Sequence, residues 1–159
     1  MRAGLVVLAL VIGVAGCGGD GSSTPKEDPG VAAVRVVRQI TANRYAQAWA
    51  DLHSKDQDVA PLGEYVDCET RSPVIARPGG VKVLRVFDES RGIGDGTFLE
   101  TKAVAVRLSF TDSFNVTQTV HLVAEGGRWK WILPSFRFRD YKANHCPVDP
   151  GSSGPPTTS

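Results

Sequence analysis

The sequence predicts an α+β domain: N-terminal helices packed on a curved antiparallel sheet of about four strands. Apolar residues recur every three to four positions from Val31 to His53, and from Val81 onward they alternate every second position. Short Asp112-Ser113 and Glu125-Gly126-Gly127 connections separate the alternating runs, as antiparallel hairpins require. Helices first, then a run of hairpin strands, is an α+β plan.

The elements follow in chain order. Residues 31–53 read as one amphipathic helix, with Val34, Val37, Thr41, Tyr45, Ala48, Trp49 and Leu52 on a single stripe and Pro29-Gly30 setting its start. Ser54 to Asp58 is a polar turn. A shorter helix runs from Ala60-Pro61 to Glu69, with Cys68 near its end and Pro61 suited to its first turn. Four strands come next: Val81–Asp88, Leu99–Thr111, Asn115–Glu125 and Arg128–Leu133. In the second, Val104, Val106, Leu108 and Phe110 share a face. In the third, Val116, Val120, Leu122 and Ala124 alternate with Thr117, Thr119, His121 and Val123. The fourth carries Trp129 and Trp131 on one side.

The ends differ in character from this domain. One positive charge, Arg2, precedes the apolar run Leu5–Val14, the layout of a secretory signal peptide. As a helix this run would span about 15 Å, half of a hydrocarbon core roughly 30 Å thick. It ends in Val14-Ala15-Gly16-Cys17, which resembles the lipobox of bacterial lipoproteins: a branched apolar residue, two small residues, then cysteine. That resemblance implies cleavage before Cys17, acylation of its thiol, and a cell-membrane anchor on the extracytoplasmic side. Residues 17–30 then form a flexible Gly/Ser/Pro-rich tether, 31–146 the domain, and 147–159 a disordered tail.

Composition narrows the partners. Loss of the signal peptide removes one of 18 basic residues and leaves 17 against 17 acidic, which argues against nucleic acid as a partner. Of three cysteines, lipid would take Cys17, leaving the even pair Cys68 and Cys146 for a disulfide in an oxidising compartment. Two separate buried thiols are the alternative. No paired-His metal motif, phosphate-cradling loop or nucleophile elbow is present, so no metal or cofactor is expected.

The order of features also resembles a known superfamily. A long helix carries Tyr45 and Trp49, Glu64-Tyr65-Val66-Asp67-Cys68 follows, and the last strand reads Gly127-Arg128-Trp129-Lys130-Trp131. This looks like the NTF2-like (cystatin-like, cone-shaped) domains, in particular those of small actinobacterial lipoproteins. The resemblance implies a cone closed by indoles, in which Tyr45, Trp49, Tyr65, Trp129 and Trp131 are candidate pocket-lining residues or filled core. It implies either a non-catalytic binding or accessory module of the cell envelope, or a cone that binds or transforms an apolar small molecule. A homodimer through the sheet face is compatible with it.

An enzyme of this shape needs an acid or base buried in the cone. Asp51, His53, Tyr45, Tyr65 and His121 are the candidates. Asp51 and His53 read as a solvated helix end, and His121 as sheet exterior or dimer surface. No catalytic residue is assigned.

Overall fold

A computed structural model describes residues 24–110 and 114–147 of the chain. The expected signal peptide, Cys17, residues 111–113 and residues from 148 onward lie outside the described residues. Helices come first: α1 (Pro29–Thr41), α2 (Tyr45–Ala50), α3 (Ser54–Val59) and α4 (Leu62–Arg71). Strands β1 (Gly80–Gly92), β2 (Phe98–Ser109), β3 (Asn115–Glu125) and β4 (Arg128–Trp131) follow, and α5 (Ser135–Lys142) ends the domain. The strands form one open antiparallel sheet in the order β1-β2-β3-β4. No helix among the described residues is long and apolar enough to cross a membrane.

The start of α1 is fixed by chemistry that the sequence already carries. Asp28 caps it, its carboxylate accepting from the amides of Gly30 (2.8 Å) and Val31 (3.2 Å), and Pro29 occupies the first turn. The ordered chain reaches back further than the expected boundary at residue 31. Pro25 is buried, Glu27 pairs with Arg35, and the Glu27 carbonyl accepts from the Trp129 indole at 2.7 Å.

The single helix expected over 31–53 is two helices. Asn43 adopts a left-handed backbone (φ 57°), which Asn tolerates better than most residues. Its side chain closes the break: Oδ1 accepts from the Tyr45 hydroxyl (2.7 Å) and the Val74 amide (3.0 Å), and Nδ2 donates to the Val74 carbonyl (3.2 Å). After α2 the chain runs beside β4 instead of entering solvent. The Trp131 amide donates to the Asp51 carbonyl (3.0 Å), and the His53 amide donates to the Trp131 carbonyl (2.9 Å). The polar stretch after it, expected as a turn, forms α3.

The strands lie close to their expected places, and Asn115–Glu125 coincides with β3. Gly126 and Gly127 both have positive φ (57° and 72°), which a two-residue hairpin turn requires and a side chain would oppose. A bulge between Val83 and Arg85 leaves Leu84 unpaired and exposed.

The core lies between the helices and one sheet face. Val36 and Val37 from α1 meet Val104, Val106, Leu108 and Leu122 from the sheet, with Tyr65, Phe138 and Tyr141 closing the lower end. A smaller cluster of Ile93, Val123 and Ile132 covers part of the opposite face. Cys68 and Cys146 form a disulfide across a sequence separation of 78, with Cα atoms 5.1 Å apart, and tie α4 to the segment after α5.

Candidate ligand cavity

The five aromatic side chains expected to line a pocket are largely core. Tyr45, Tyr65, Trp129 and Trp131 are buried, and Trp49 is half-buried against them. Each indole donates to a backbone carbonyl at 2.7 Å: Trp49 to Ala60, Trp129 to Glu27 and Trp131 to Ala48. These bonds satisfy the N–H of a buried ring and lock it in place. The indoles therefore staple the helical layer to the chain around it, and of the five aromatic residues Trp131 also reaches the wall of a cavity.

That cavity, of about 450 Å³, lies where α1 stands over the sheet beyond the last residue of β4. Val36, Val37, Ile40 and Thr41 of α1 form one wall. Leu108, Val116 and Val120 of β2 and β3 form the opposite wall, joined by Phe110, Leu133 and Phe136. The lining is aliphatic and aromatic because both walls come from helix and strand faces patterned for burial. The core covers β3 from Leu122 upward but leaves Val116 to Gln118 exposed at the mouth.

Six polar side chains interrupt this lining: Thr41, Arg91, Gln118, Thr119, His121 and Arg137. The Thr41 hydroxyl is tied to the Val37 carbonyl at 2.8 Å. His121 Nε2 lies 2.8 Å from Glu89 Oε2, so the ring is held by a carboxylate on β1. Arg137 donates to Glu69 Oε1 at 2.6 Å, and the same oxygen accepts from the Tyr141 hydroxyl at 2.7 Å. An apolar wall with a few fixed polar groups is the pattern of a small-molecule site. His121 was expected on the sheet exterior. It reaches the rim because β4 ends at Trp131 and leaves the first part of β3 without a described strand on the side away from β2.

A larger and more open groove of about 560 Å³ runs along the outer side of α1, past Val31, Val34, Arg38, Arg44 and Val83. No group of three or more potential metal ligands occurs among the described residues.

Asp51 and His53 depart most from expectation, since both are buried rather than solvated. The pairing of their backbone with β4 draws them inward. Asp51 gains compensation: its carboxylate accepts from Arg35 Nε (3.0 Å), Gln39 Nε2 (3.1 Å) and Arg128 (3.3 Å). His53 does not. Its Nδ1 is buried without a hydrogen bond, 3.8 Å from Oδ2 of Asp56, and Nε2 stands 3.9 Å from Glu125.

Asp56 is fully buried on α3, and no side chain reaches either of its oxygens in hydrogen-bonding geometry. Burial pushes its carboxyl up from 3.8 to about 7, against a smaller opposing pull from the Leu133 amide. Burial likewise pushes the His53 imidazole down. Neither side chain stands on the cavity wall. Sequence pattern gave no sign of this pair, because Ser-Lys-Asp-Gln-Asp reads as solvated in any periodicity.

No family model matches the chain, and no curated protein or solved structure is significantly similar to it.

Proposed function

We propose that this protein is a membrane-anchored extracytoplasmic lipoprotein, acylated on Cys17, whose domain is a binding module for an apolar small molecule. The cavity between α1 and the sheet carries the reading: about 450 Å³, a mainly apolar wall, and a few polar groups fixed by neighbours. The order of helices and sheet, with a cavity between them, is what the NTF2-like resemblance implies.

The Cys68–Cys146 disulfide supports an oxidising compartment, and the Val-Ala-Gly-Cys sequence supports the anchor. Binding is favoured over turnover because no carboxylate stands on the described wall and its imidazole is already held by Glu89. An envelope protein that delivers or receives the ligand fits the same address.

Titration with an apolar fluorophore tests the cavity. We expect saturable 1:1 binding that Ile40→Trp, which fills the space, abolishes while the disulfide and secondary structure persist. Binding that Ile40→Trp leaves unchanged would refute the cavity reading. Metabolic labelling with a fatty acid tests the anchor separately: label should enter the chain and be lost in Cys17→Ser.

A further inference from the structure

One edge of β3 is paired along only part of its length. β2 pairs with β3 over Asn115–Leu122, whereas β4 pairs only with Leu122–Glu125 on the other side. One more bond, from the Ile132 amide to the His121 carbonyl at 3.1 Å, extends this cover by a residue. In an antiparallel strand the N–H and C=O of one residue point to the same side, and residues alternate. The His121 carbonyl points away from β2, so the backbone groups of Thr119 and Thr117 do so as well. Among the described residues they have no strand opposite them.

This open stretch reads Val116-Thr117-Gln118-Thr119-Val120. It is β-branched at four of its five positions, uncharged and free of proline, the composition that invites another strand. The other sheet edge, β1, is guarded by Lys82, Arg85, Asp88, Glu89 and Arg91 and by the bulge at Leu84. The open stretch is also a palindrome. Two copies placed antiparallel about a two-fold axis at Gln118 set Val116 opposite the second copy's Val120, and Thr117 opposite the second copy's Thr119. Like residues therefore meet everywhere and no like charges face each other, the self-complementarity that an isologous interface requires. Cross-strand pairs of β-branched residues and of threonines are favourable.

We propose that Val116–Val120 is a self-pairing edge through which two copies of this chain join into one continuous eight-stranded sheet. Thr117 and Thr119 each exchange N–H···O=C bonds with the second copy's Thr119 and Thr117, four bonds in all. Gln118 faces itself as a non-hydrogen-bonded pair. The exposed side chains of Val116 and Gln118, at the mouth of the cavity, become covered. This contact is through a sheet edge and not through the sheet face, and it stands independently of any ligand.

The register provides the test. In the full chain carrying Cys17→Ser, which leaves only the Cys68–Cys146 pair, Gln118→Cys places two thiols opposite each other. Their Cβ atoms should be about 5 Å apart, close to disulfide reach. Val116→Cys places its two thiols four residues out of register, about 13 Å apart. Mild oxidation should give a reducible dimer with Gln118→Cys and at least tenfold less with Val116→Cys.

Sedimentation equilibrium of the unsubstituted protein should show a dimer whose dissociation constant rises at least tenfold in Thr119→Pro, which removes an edge donor, and in Gln118→Lys, which opposes two charges. Either variant suffices if the other fails to fold. A monomer at all concentrations up to about 1 mM, or equal cross-linking of the two cysteine variants, overturns the proposal. A monomer that still binds the apolar fluorophore would overturn this edge and leave the cavity reading intact.

Discussion

Two buried polar clusters flank the lower core and solve the same problem differently. On one side Glu69 of α4, 7% exposed, accepts from Arg137 at 2.6 Å and from the buried Tyr141 at 2.7 Å. On the other side Asp56 of α3, 0% exposed, faces His53 at 3.8 Å with no hydrogen bond between them. Equal burial thus gives opposite chemistry. The Glu69 carboxylate has a guanidinium and a phenol that donate to it inside the protein. Desolvation pushes the carboxyl supplied with neither up to about 7 and pushes its histidine neighbour down. In the Glu69 cluster the phenol feels the charge too: burial and the carboxylate together push Tyr141 well above its ordinary range.

Breaking the compensated cluster should have the largest effect. Glu69→Ala leaves the half-buried Arg137 and the buried Tyr141 without their common acceptor, and removing one member of a buried pair costs up to about 3–5 kcal/mol. Urea denaturation should show the midpoint falling accordingly. If the loss is under about 1 kcal/mol, the cluster is solvated and the contrast with Asp56 fails.

Next in size is the disulfide that ties the two elements of this cluster together, α4 through Cys68 and the segment after α5 through Cys146. For its separation of 78 residues, the chain-entropy model gives roughly 4.5 kcal/mol as a ceiling, and typical native bridges give about 2–4. The Cys68→Ser/Cys146→Ser double variant should lose that much in the same assay. It should lose less in a Glu69→Ala background, because neighbouring changes are not additive.

The two clusters also show what a sequence can and cannot convey. The helices-then-sheet plan, the change from helical to strand period, the limits of β3 and the disulfide pairing were legible, because burial patterning and cysteine parity are local signals. The break at Asn43 was not, because it depends on Val74, which lies 31 residues away. α5 was invisible: Ser-Phe-Arg-Phe-Arg-Asp-Tyr-Lys has no apolar stripe. It folds as a helix by docking, with Tyr141 on Glu69 and with Phe138 against Gly94, where an added Cβ would lie 2.2 Å from the ring. At the cavity the aromatic residues drew attention, but their N–H groups are spent on carbonyls. The wall is made of aliphatic residues that look like ordinary core in any linear reading.

The uncompensated cluster gives the smallest change in stability but the sharpest one in pH. The Asp56 carboxyl is raised in the folded state from 3.8 to about 7. The folded protein therefore binds a proton that the unfolded chain releases. The stability this group provides is fully present below pH 3.8 and is lost as pH rises through about 7. The ceiling on that loss is on the order of 4 kcal/mol.

Asn mimics the protonated acid and cannot ionise. Asp56→Asn should therefore match the unsubstituted protein near pH 4 and exceed it at pH 8 by about 1–2 kcal/mol, since local relaxation returns part of the ceiling. His53 pulls the other way. Its folded-state value is depressed, so its contribution is present above its ordinary 6.5 and is lost as pH falls through the lowered value. In the unsubstituted protein the two slopes oppose each other between pH 4 and 6.5. With Asn at position 56 only the histidine slope remains, and stability should rise with pH across that window. Urea midpoints at half-unit pH steps decide the matter. Parallel curves for the two proteins would mean that Asp56 is ionised and partnered in solution, and that the difference between the clusters is one of geometry alone.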